Sequence, residues 1–394
     1  MSNMGIVMWQ ACARSVKYCC RYAGLSMAHL VMCGIWLFGA VALLAHPIAA
    51  SPERAMTKGM EAFQRGDMEQ AALMWQQAAR DYAAAEQAHT QSIALTHLAR
   101  AEVALGHPDR AMVHLRTALH RAETAGDGRQ AIRVLAQLGQ LAVVTRDLDA
   151  AEAWLHDALT QAHDLGDTGL TAMVLHHRGN LFLRQRRPRD ALTAYRESAL
   201  AAEQISHWGM ATRALAHAAR VAIQEGQSRT AITWLETAGN YLQQEVDSHE
   251  SAYDLLLIGR LYEQLSAANA VLKPKAFAAF QDARSMAERL RDQRALAYAW
   301  GYLGHLYEQD QRYEEALVLT RRAIVVAQHV DVPESLYQWE WQRGRLLLAL
   351  GQETIAMAAY ARALETVQAI RTTLRRGQSS ANASFRDVLG PLYF

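Results

Sequence analysis

Small and large apolar residues recur along this chain in a fixed register. The stretch GDMEQAALMWQQAA places Ala71, Trp75 and Ala78 four and three residues apart, a spacing that puts side chains on one face of a helix. The same small, large, small pattern returns through most of the chain. Its leading alanines stand 40 residues apart, with one interval of 45, at Ala71, Ala111, Ala151, Ala191, Ala231, Ala276, Ala316 and Ala356. A register this regular predicts a helical repeat array.

A second pattern precedes the first in most units. Glycine stands twelve residues before the leading alanine at Gly59, Gly139, Gly179, Gly304 and Gly344. Turn-forming pairs such as Gly66-Asp67 separate the two halves of a unit. Each unit is therefore predicted to be a helical hairpin, in which glycine and alanine let the helix backbones approach closely. The prolines are predicted to lie in turns and to interrupt no helix: Pro108, Pro188, Pro274 and Pro333.

These units resemble tetratricopeptide repeats, most clearly in WGYLGHLYEQDQRYEEALVLTRRAI, Trp300 to Ile324. The resemblance covers residues 52–370 and assigns residues 51–376 to an array of about eight repeats. It implies an all-α fold, a right-handed superhelical solenoid of eight helical hairpins, with the first helices lining a concave groove. The units depart from the family pattern in their 40-residue length, in Ser198, and in Ala99 and Ala219 at the glycine position.

The first fifty residues differ from the rest of the chain. Residues 1–50 contain no Asp or Glu, have basic residues at Arg14, Lys17 and Arg21, and then run uncharged from Leu30 to Leu44. Small residues before Ser51 complete the pattern of a cleaved signal peptide, and an uncleaved signal anchor is the alternative. A third interpretation is a misread cytosolic segment. Either export signal predicts a periplasmic or extracellular array, anchored in the inner membrane if cleavage does not occur.

Composition excludes several classes of function. The net charge of +1 is too balanced for a general nucleic-acid or membrane-surface binder. All four cysteines lie within the first 33 residues, so the array has no disulfide and no thiol nucleophile. The pairs His176-His177 and His114 with His120 do not share one helix face and are not expected to bind metal. We therefore predict no enzyme activity, no metal and no cofactor.

The residues that follow the glycine position predict a binding groove. Most of them are polar, and four are arginine, whose guanidinium group binds carboxylates through two hydrogen bonds. By resemblance, Asn180 stands where peptide-clamping relatives hold a ligand backbone. The candidate groove residues are Arg100, His177, Asn180, Arg184, His217, Arg220, Arg260, Tyr302, His305, Trp341 and Arg345. They favour an acidic peptide or acidic helix as partner; the alternative is that the arginines pair with carboxylates of neighbouring repeats.

The last residues, 377–394, are predicted to be either a cap on the array or a junction. The polar break Gly377-Gln-Ser-Ser380, with Ser384-Phe385 and Pro391-Leu392-Tyr393 after it, resembles the junction where such repeats lead into CHAT domains, a caspase-like peptidase fold. The catalytic pair of that family is His and Cys, and no Cys follows Cys33.

Two functions follow from these observations. The first is a non-catalytic exported scaffold that binds a protein or peptide, and not nucleic acid, in its concave groove. The alternative is the recognition or regulatory part of a CHAT-type peptidase system whose catalytic domain is missing or encoded separately. The sensor part of a regulator is a third, against which the export signal and the lack of a DNA-binding segment argue.

Overall fold

The computed structural model describes residues 51–329 and 333–377, with side chains up to Ile370, and this part of the chain is helical throughout. Sixteen α-helices form eight consecutive hairpins here. They are α1 Pro52–Gln64, α2 Met68–Ala84, α3 Ala88–Ala104, α4 Pro108–Thr124, α5 Gly128–Thr145, α6 Leu148–Asp164, α7 Thr168–Arg184, α8 Pro188–Gln204, α9 Trp208–Gln224, α10 Ser228–Leu242, α11 His249–Ser266, α12 Lys273–Leu290, α13 Gln293–Gln309, α14 Tyr313–His329, α15 Pro333–Ala349 and α16 Glu353–Gly377. The predicted all-α, right-handed superhelical solenoid of eight helical hairpins is confirmed.

The predicted signal segment and the segment 378–394 lie outside the described residues. Within the described residues, no helix is both long and apolar enough to cross a bilayer.

Aspartate and proline start the helices. Asp67 accepts a hydrogen bond from the backbone N–H of Gln70 at 3.0 Å, and Asp127 and Asp167 cap α5 and α7 in the same way. This satisfies one of the backbone donors that the first turn of a helix leaves unpaired. The four prolines lie inside the first turns of α4, α8, α12 and α15 rather than in the connecting turns. The prediction that they interrupt no helix is correct, because a first-turn residue needs no N–H.

Close approach inside five of the eight hairpins depends on the glycine of the first helix. A Cβ atom built on Gly59 would lie 2.5 Å from the Trp75 side chain, and one on Gly179 would lie 2.5 Å from Tyr195. Gly139, Gly259 and Gly344 meet the large residues Leu155, Phe280 and Tyr360 of their own second helices in the same way. The glycine therefore makes room for a side chain. This differs from the predicted backbone-to-backbone contact.

The sixth hairpin accommodates the one longer interval in the register. Residues 243–248 connect α10 to α11, and a 3₁₀-helix, Ala270–Leu272, precedes α12. The core stays continuous across these longer connections, since Leu272 and Phe280 are buried in one apolar cluster with Leu235.

One superhelical turn brings the first hairpin onto the sixth and seventh. The Phe63 ring at the end of α1 lies 5.2 Å from the ring of His249, and the His249 N–H donates to Gln64 Oε1 at 2.7 Å. His249 Nδ1 in turn lies 2.6 Å from Oδ2 of Asp292, which is fully buried at the start of α13. Arg100 on α3 adds an ion pair with Glu250 on α11 at 2.6 Å. The array thus contacts itself across about one turn.

Replacing Gly179 by alanine is expected to destabilise the array. In an open helix interior this change gains about 1 kcal/mol, but here the new methyl group overlaps Tyr195, and overpacking costs about 1–3 kcal/mol. Gly239 on α10 is the matched control, because no atom lies within 4 Å of its Cβ position. The midpoint of urea unfolding should fall for Gly179→Ala and rise for Gly239→Ala. A rise in both would contradict the packing role of Gly179.

The contact across the turn can be tested at Gly66. Gly66 and Gly106 both have a positive φ, +72° and +78°, so alanine strains the backbone equally at both. Only at Gly66 would the added Cβ overlap Asp292 Oδ1, because nothing lies within 4 Å at Gly106. Gly66→Ala should therefore lower the unfolding midpoint more than Gly106→Ala and increase the radius of gyration in X-ray scattering. Equal effects would mean that the first and seventh hairpins do not touch in solution.

Candidate functional site

Two cavities lie against the first helices of the hairpins. The first, named here the inner cavity, has a volume of about 450 Å³. Every first helix from α1 to α11 contributes to its wall, with Phe63, Arg100, Gln140, His177, Arg213 and His249 in that order. Phe63 and His249, which touch across the superhelical turn, both line the inner cavity. Their contact is therefore part of its wall.

The second cavity, named here the C-terminal pocket, has a volume of about 490 Å³ and lies between α11, α13 and α15. Five of the predicted groove residues line it: Arg260, Tyr302, His305, Trp341 and Arg345. Arg100 and His177 line the inner cavity instead. Arg184, at the end of α7, and Asn180, His217 and Arg220 are in neither lining.

A buried carboxylate organises the C-terminal pocket. Glu263 Oε2 accepts a hydrogen bond from Arg260 Nη1 at 2.5 Å, and Glu263 Oε1 accepts one from Gln309 Nε2 at 2.8 Å and lies 2.7 Å from His305 Nδ1. Burial by itself raises the pKa of Glu263, but the hydrogen bond from His305 and the charge of Arg260 outweigh it and lower the pKa below its usual value. Glu263 is thus a fixed negative charge with its partners in place.

The arginines of the predicted groove already have partners in the chain. Arg345 pairs with Glu308 through two hydrogen bonds, at 2.8 and 2.7 Å, and Arg100 pairs with Glu250. Arg260 pairs with Glu263, and Arg220 Nη2 lies 2.9 Å from His217 Nδ1. An acidic ligand has to compete with these contacts. The side chains of Arg260 and Arg345 are still 38% and 39% exposed, so each leaves donors on the open side of the C-terminal pocket.

Asn180 is held in a network between neighbouring hairpins. Its Nδ2 donates to Gln140 Oε1 at 2.9 Å, and its Oδ1 accepts from the Tyr195 hydroxyl at 2.6 Å. His177 Nδ1 lies 3.2 Å from the same Gln140 oxygen. The ring of His217 packs against Tyr195 at 5.4 Å. These side chains hold adjacent first helices together, and a ligand would have to replace their hydrogen bonds in order to use them.

Burial keeps the histidines of this region neutral. It lowers the pKa of His97 and of His177 to about 4, with Arg100 and Arg213 respectively adding repulsion. Burial also lowers the pKa of His176 and His217 well below the usual value, and the nearby arginines contribute. All four imidazoles are uncharged at neutral pH, so His176 and His177, which line the inner cavity, do not attract a carboxylate by charge.

Several site residues were missed at the sequence level. Met173, Met210 and Arg213 line the inner cavity, and Trp339 lines the C-terminal pocket. Met173 lies four residues before His177, and Arg213 four before His217, one helical turn earlier on the same face. Extending each predicted face by one turn toward the N-terminus would have found Met173 and Arg213, and a second turn would have found Met210. Trp339 does not stand one helical turn before a predicted groove residue, so this spacing would not have identified it.

Two polar atoms of the C-terminal pocket have no hydrogen-bond partner within the described residues. They are the Tyr302 hydroxyl and Trp339 Nε1, on side chains that are 4% and 3% exposed. Their rings lie 5.4 Å apart and nearly perpendicular. A buried donor without a partner costs free energy, which a bound acceptor recovers. Among the described residues, no group of three His, Cys, Asp or Glu side chains is arranged to hold a metal ion.

Comparison with known proteins places this chain among TPR-like helical repeat structures. No family model matches it, and curated protein sequences give no match. The solved structure of a signal transduction ATPase with a tetratricopeptide repeat sensor, from Pyrococcus horikoshii, is similar over 82% of this chain at 15% identity and a TM-score of 0.55. This chain corresponds to 48% of that protein, about half its length.

Two Rap proteins are similar in fold as well. The Rap conjugation gene regulator of plasmid pLS20, solved with the Phr* peptide, matches 72% of this chain and 76% of its own, at 16% identity and a TM-score of 0.51. A Rap protein solved with competence and sporulation factor matches 82% of this chain and 92% of its own, at 13% identity and a TM-score of 0.51. At these identities the similarity shows the fold.

The lowered histidine pKa values predict acid-sensitive folding. The unfolded chain takes up protons near the ordinary pKa of about 6.5, whereas the folded chain does so only near pH 4 at His97 and His177. Stability is therefore complete above pH 6.5 and falls toward pH 4, by up to about 1.4 kcal/mol per pH unit for each such histidine.

Urea unfolding at pH 7 and pH 5 measures this loss. His176→Phe, which keeps a ring but cannot be protonated, should reduce the difference between the two midpoints. His120→Phe at an exposed position of α4 is the control and should leave it unchanged. A midpoint that does not depend on pH would contradict the neutral, buried state of these rings.

Proposed function

We propose that this protein is a non-catalytic scaffold that binds a peptide or a protein segment on its inner surface, with the C-terminal pocket as the anchoring site. The observation that carries the proposal is a pair of buried, unpartnered polar groups on residues that line that pocket, the Tyr302 hydroxyl and the Trp339 indole N–H. Peptides supply carbonyl and carboxylate oxygens that would accept hydrogen bonds from both groups.

The surroundings of these donors fit a peptide. Trp341 is 51% exposed and offers an aromatic face at the pocket entrance, and Tyr and Trp are enriched where proteins bind one another. The exposed donors of Arg260 and Arg345 favour a peptide with an acidic side chain or a terminal carboxylate. Because both arginines already pair with glutamates, we propose that a ligand carboxylate exchanges with Glu308 on the more exposed of the two pairs.

The similar structures support a peptide ligand. Both Rap proteins have this fold along most of their length, and their structures contain Phr* peptide and competence and sporulation factor, respectively. We further propose, on the sequence of residues 1–50, that this scaffold acts outside the cytoplasm. The alternative of a CHAT-type peptidase system rests on the junction residues 377–394 and stays a prediction from the sequence.

Replacing the exposed groups of the C-terminal pocket should weaken peptide capture. Peptides selected from a phage-displayed random library on the wild-type protein are expected to bind the double variant Trp341→Ala, Arg345→Gln at least about tenfold more weakly, about 1.4 kcal/mol. The variant removes an aromatic contact and a guanidinium donor, while the buried Tyr302 and Trp339 stay in place. Binding is measured by fluorescence anisotropy, with folding verified by circular dichroism.

The matched control lies on α14, the second helix of the preceding hairpin. Arg321 and Val325 are both exposed, stand four residues apart as Trp341 and Arg345 do, and line neither cavity. The double variant Arg321→Gln, Val325→Ala should bind the selected peptides as the wild type does. Equal binding by both double variants would show that the peptides use another surface, and a library that yields no binder would overturn the proposed function.

A further inference from the structure

The inner cavity differs from the C-terminal pocket in having a mainly apolar wall. Met68, Val103, Leu141, Val144, Met173 and Met210 face it from five helices. Methionine side chains are flexible and polarisable, so a wall that contains three of them adapts to ligands of different shape. Its volume of about 450 Å³ lies within the range of small-molecule sites.

Both arginines in this wall have a carboxylate partner. Arg100 pairs with Glu250 at 2.6 Å. Arg213 donates to both oxygens of Asp254, at 3.3 and 3.2 Å, and the Asp254 side chain is 7% exposed. An anionic ligand entering the cavity would have to break one of these pairs or be buried without a counter-charge. Both alternatives weaken the binding of an anion.

The histidines at the middle of the wall are neutral. His176 and His177 are uncharged at neutral pH because burial lowers the pKa of each. His176 is 8% exposed and lines the cavity, and its Nδ1 has no hydrogen-bond partner within the described residues. A hydrogen-bonding group on a ligand that reaches this buried atom would satisfy it.

We propose that the inner cavity binds an uncharged, largely apolar small molecule that carries one hydrogen-bonding group. The first helices from α1 to α11 all line this cavity, and the ends of the series touch through Phe63 and His249. A volume of about 450 Å³ fits a small molecule. The inner cavity shares no lining residue with the C-terminal pocket, so this site is independent of the proposed peptide site.

A matched pair of fluorescent probes tests the charge preference of the cavity. N-phenyl-1-naphthylamine is uncharged, and 8-anilinonaphthalene-1-sulfonate has the same ring system with an added sulfonate. The uncharged probe should bind saturably at one site per chain, with a blue shift and an increase in emission. The sulfonate should bind at least about tenfold more weakly, because Arg100 and Arg213 are already paired with carboxylates and do not offset its charge. Equal affinity for the two probes, or non-saturable binding of the uncharged probe, would overturn the proposal.

Cavity-filling variants test whether the uncharged probe binds in the inner cavity. Met173→Trp on α7 and Val144→Trp on α5 each add bulk to the wall and should weaken binding of the uncharged probe at least about tenfold. Met357→Trp, at a 67% exposed position outside both cavities, makes the same exchange as Met173→Trp and should leave binding unchanged. Circular dichroism shows whether each filling variant folds. Because the two variants lie on different helices, one of them still tests the proposal if the other misfolds. Full probe binding by a folded filling variant would show that the probe binds elsewhere.

Discussion

Five of the eight hairpins depend on the fit between a glycine in the first helix and a large side chain in the second. Trp75, Tyr195 and Phe280 are fully buried against Gly59, Gly179 and Gly259, where even a methyl group would overlap the ring. This fit sets how closely the two helices approach, and therefore where the apolar face of the hairpin meets the next hairpin. Each hairpin stacks mainly on its two neighbours. Hairpins of similar geometry therefore give a similar rotation from one unit to the next.

The rotation from hairpin to hairpin, summed over successive units, produces the inner cavity. After five steps the sixth hairpin meets the first, and His249 contacts both Phe63 and Asp292. The first helices then face a common interior, which the inner cavity occupies. A change in any hairpin on the way would move His249 away from Phe63, so the interior depends on the hairpins from the first to the sixth.

The two cavities offer different chemistry because their charges are arranged differently. In the inner cavity, arginines are matched by Glu250 and Asp254, and His176 and His177 are neutral. In the C-terminal pocket, the guanidinium groups of Arg260 and Arg345 keep an open side, and Tyr302 and Trp339 have donors without partners among the described residues. One surface of repeated helices thus presents an apolar site and a polar site along its length.

The sequence alone determined the local order of this protein. The 40-residue register, the turns and the buried alanines all follow from contacts within one hairpin or between neighbours, and they appear in the sequence as fixed spacings. It also identified the helix face on which Arg100, His177 and the C-terminal pocket residues lie. Only the tertiary structure decided which groups meet on that face. The pairing of Arg100 with Glu250 joins residues 150 positions apart, and it depends on the summed rotation of successive hairpins. No local spacing encodes that sum, which is why the division into two cavities and the neutral state of the inner histidines emerge only in three dimensions.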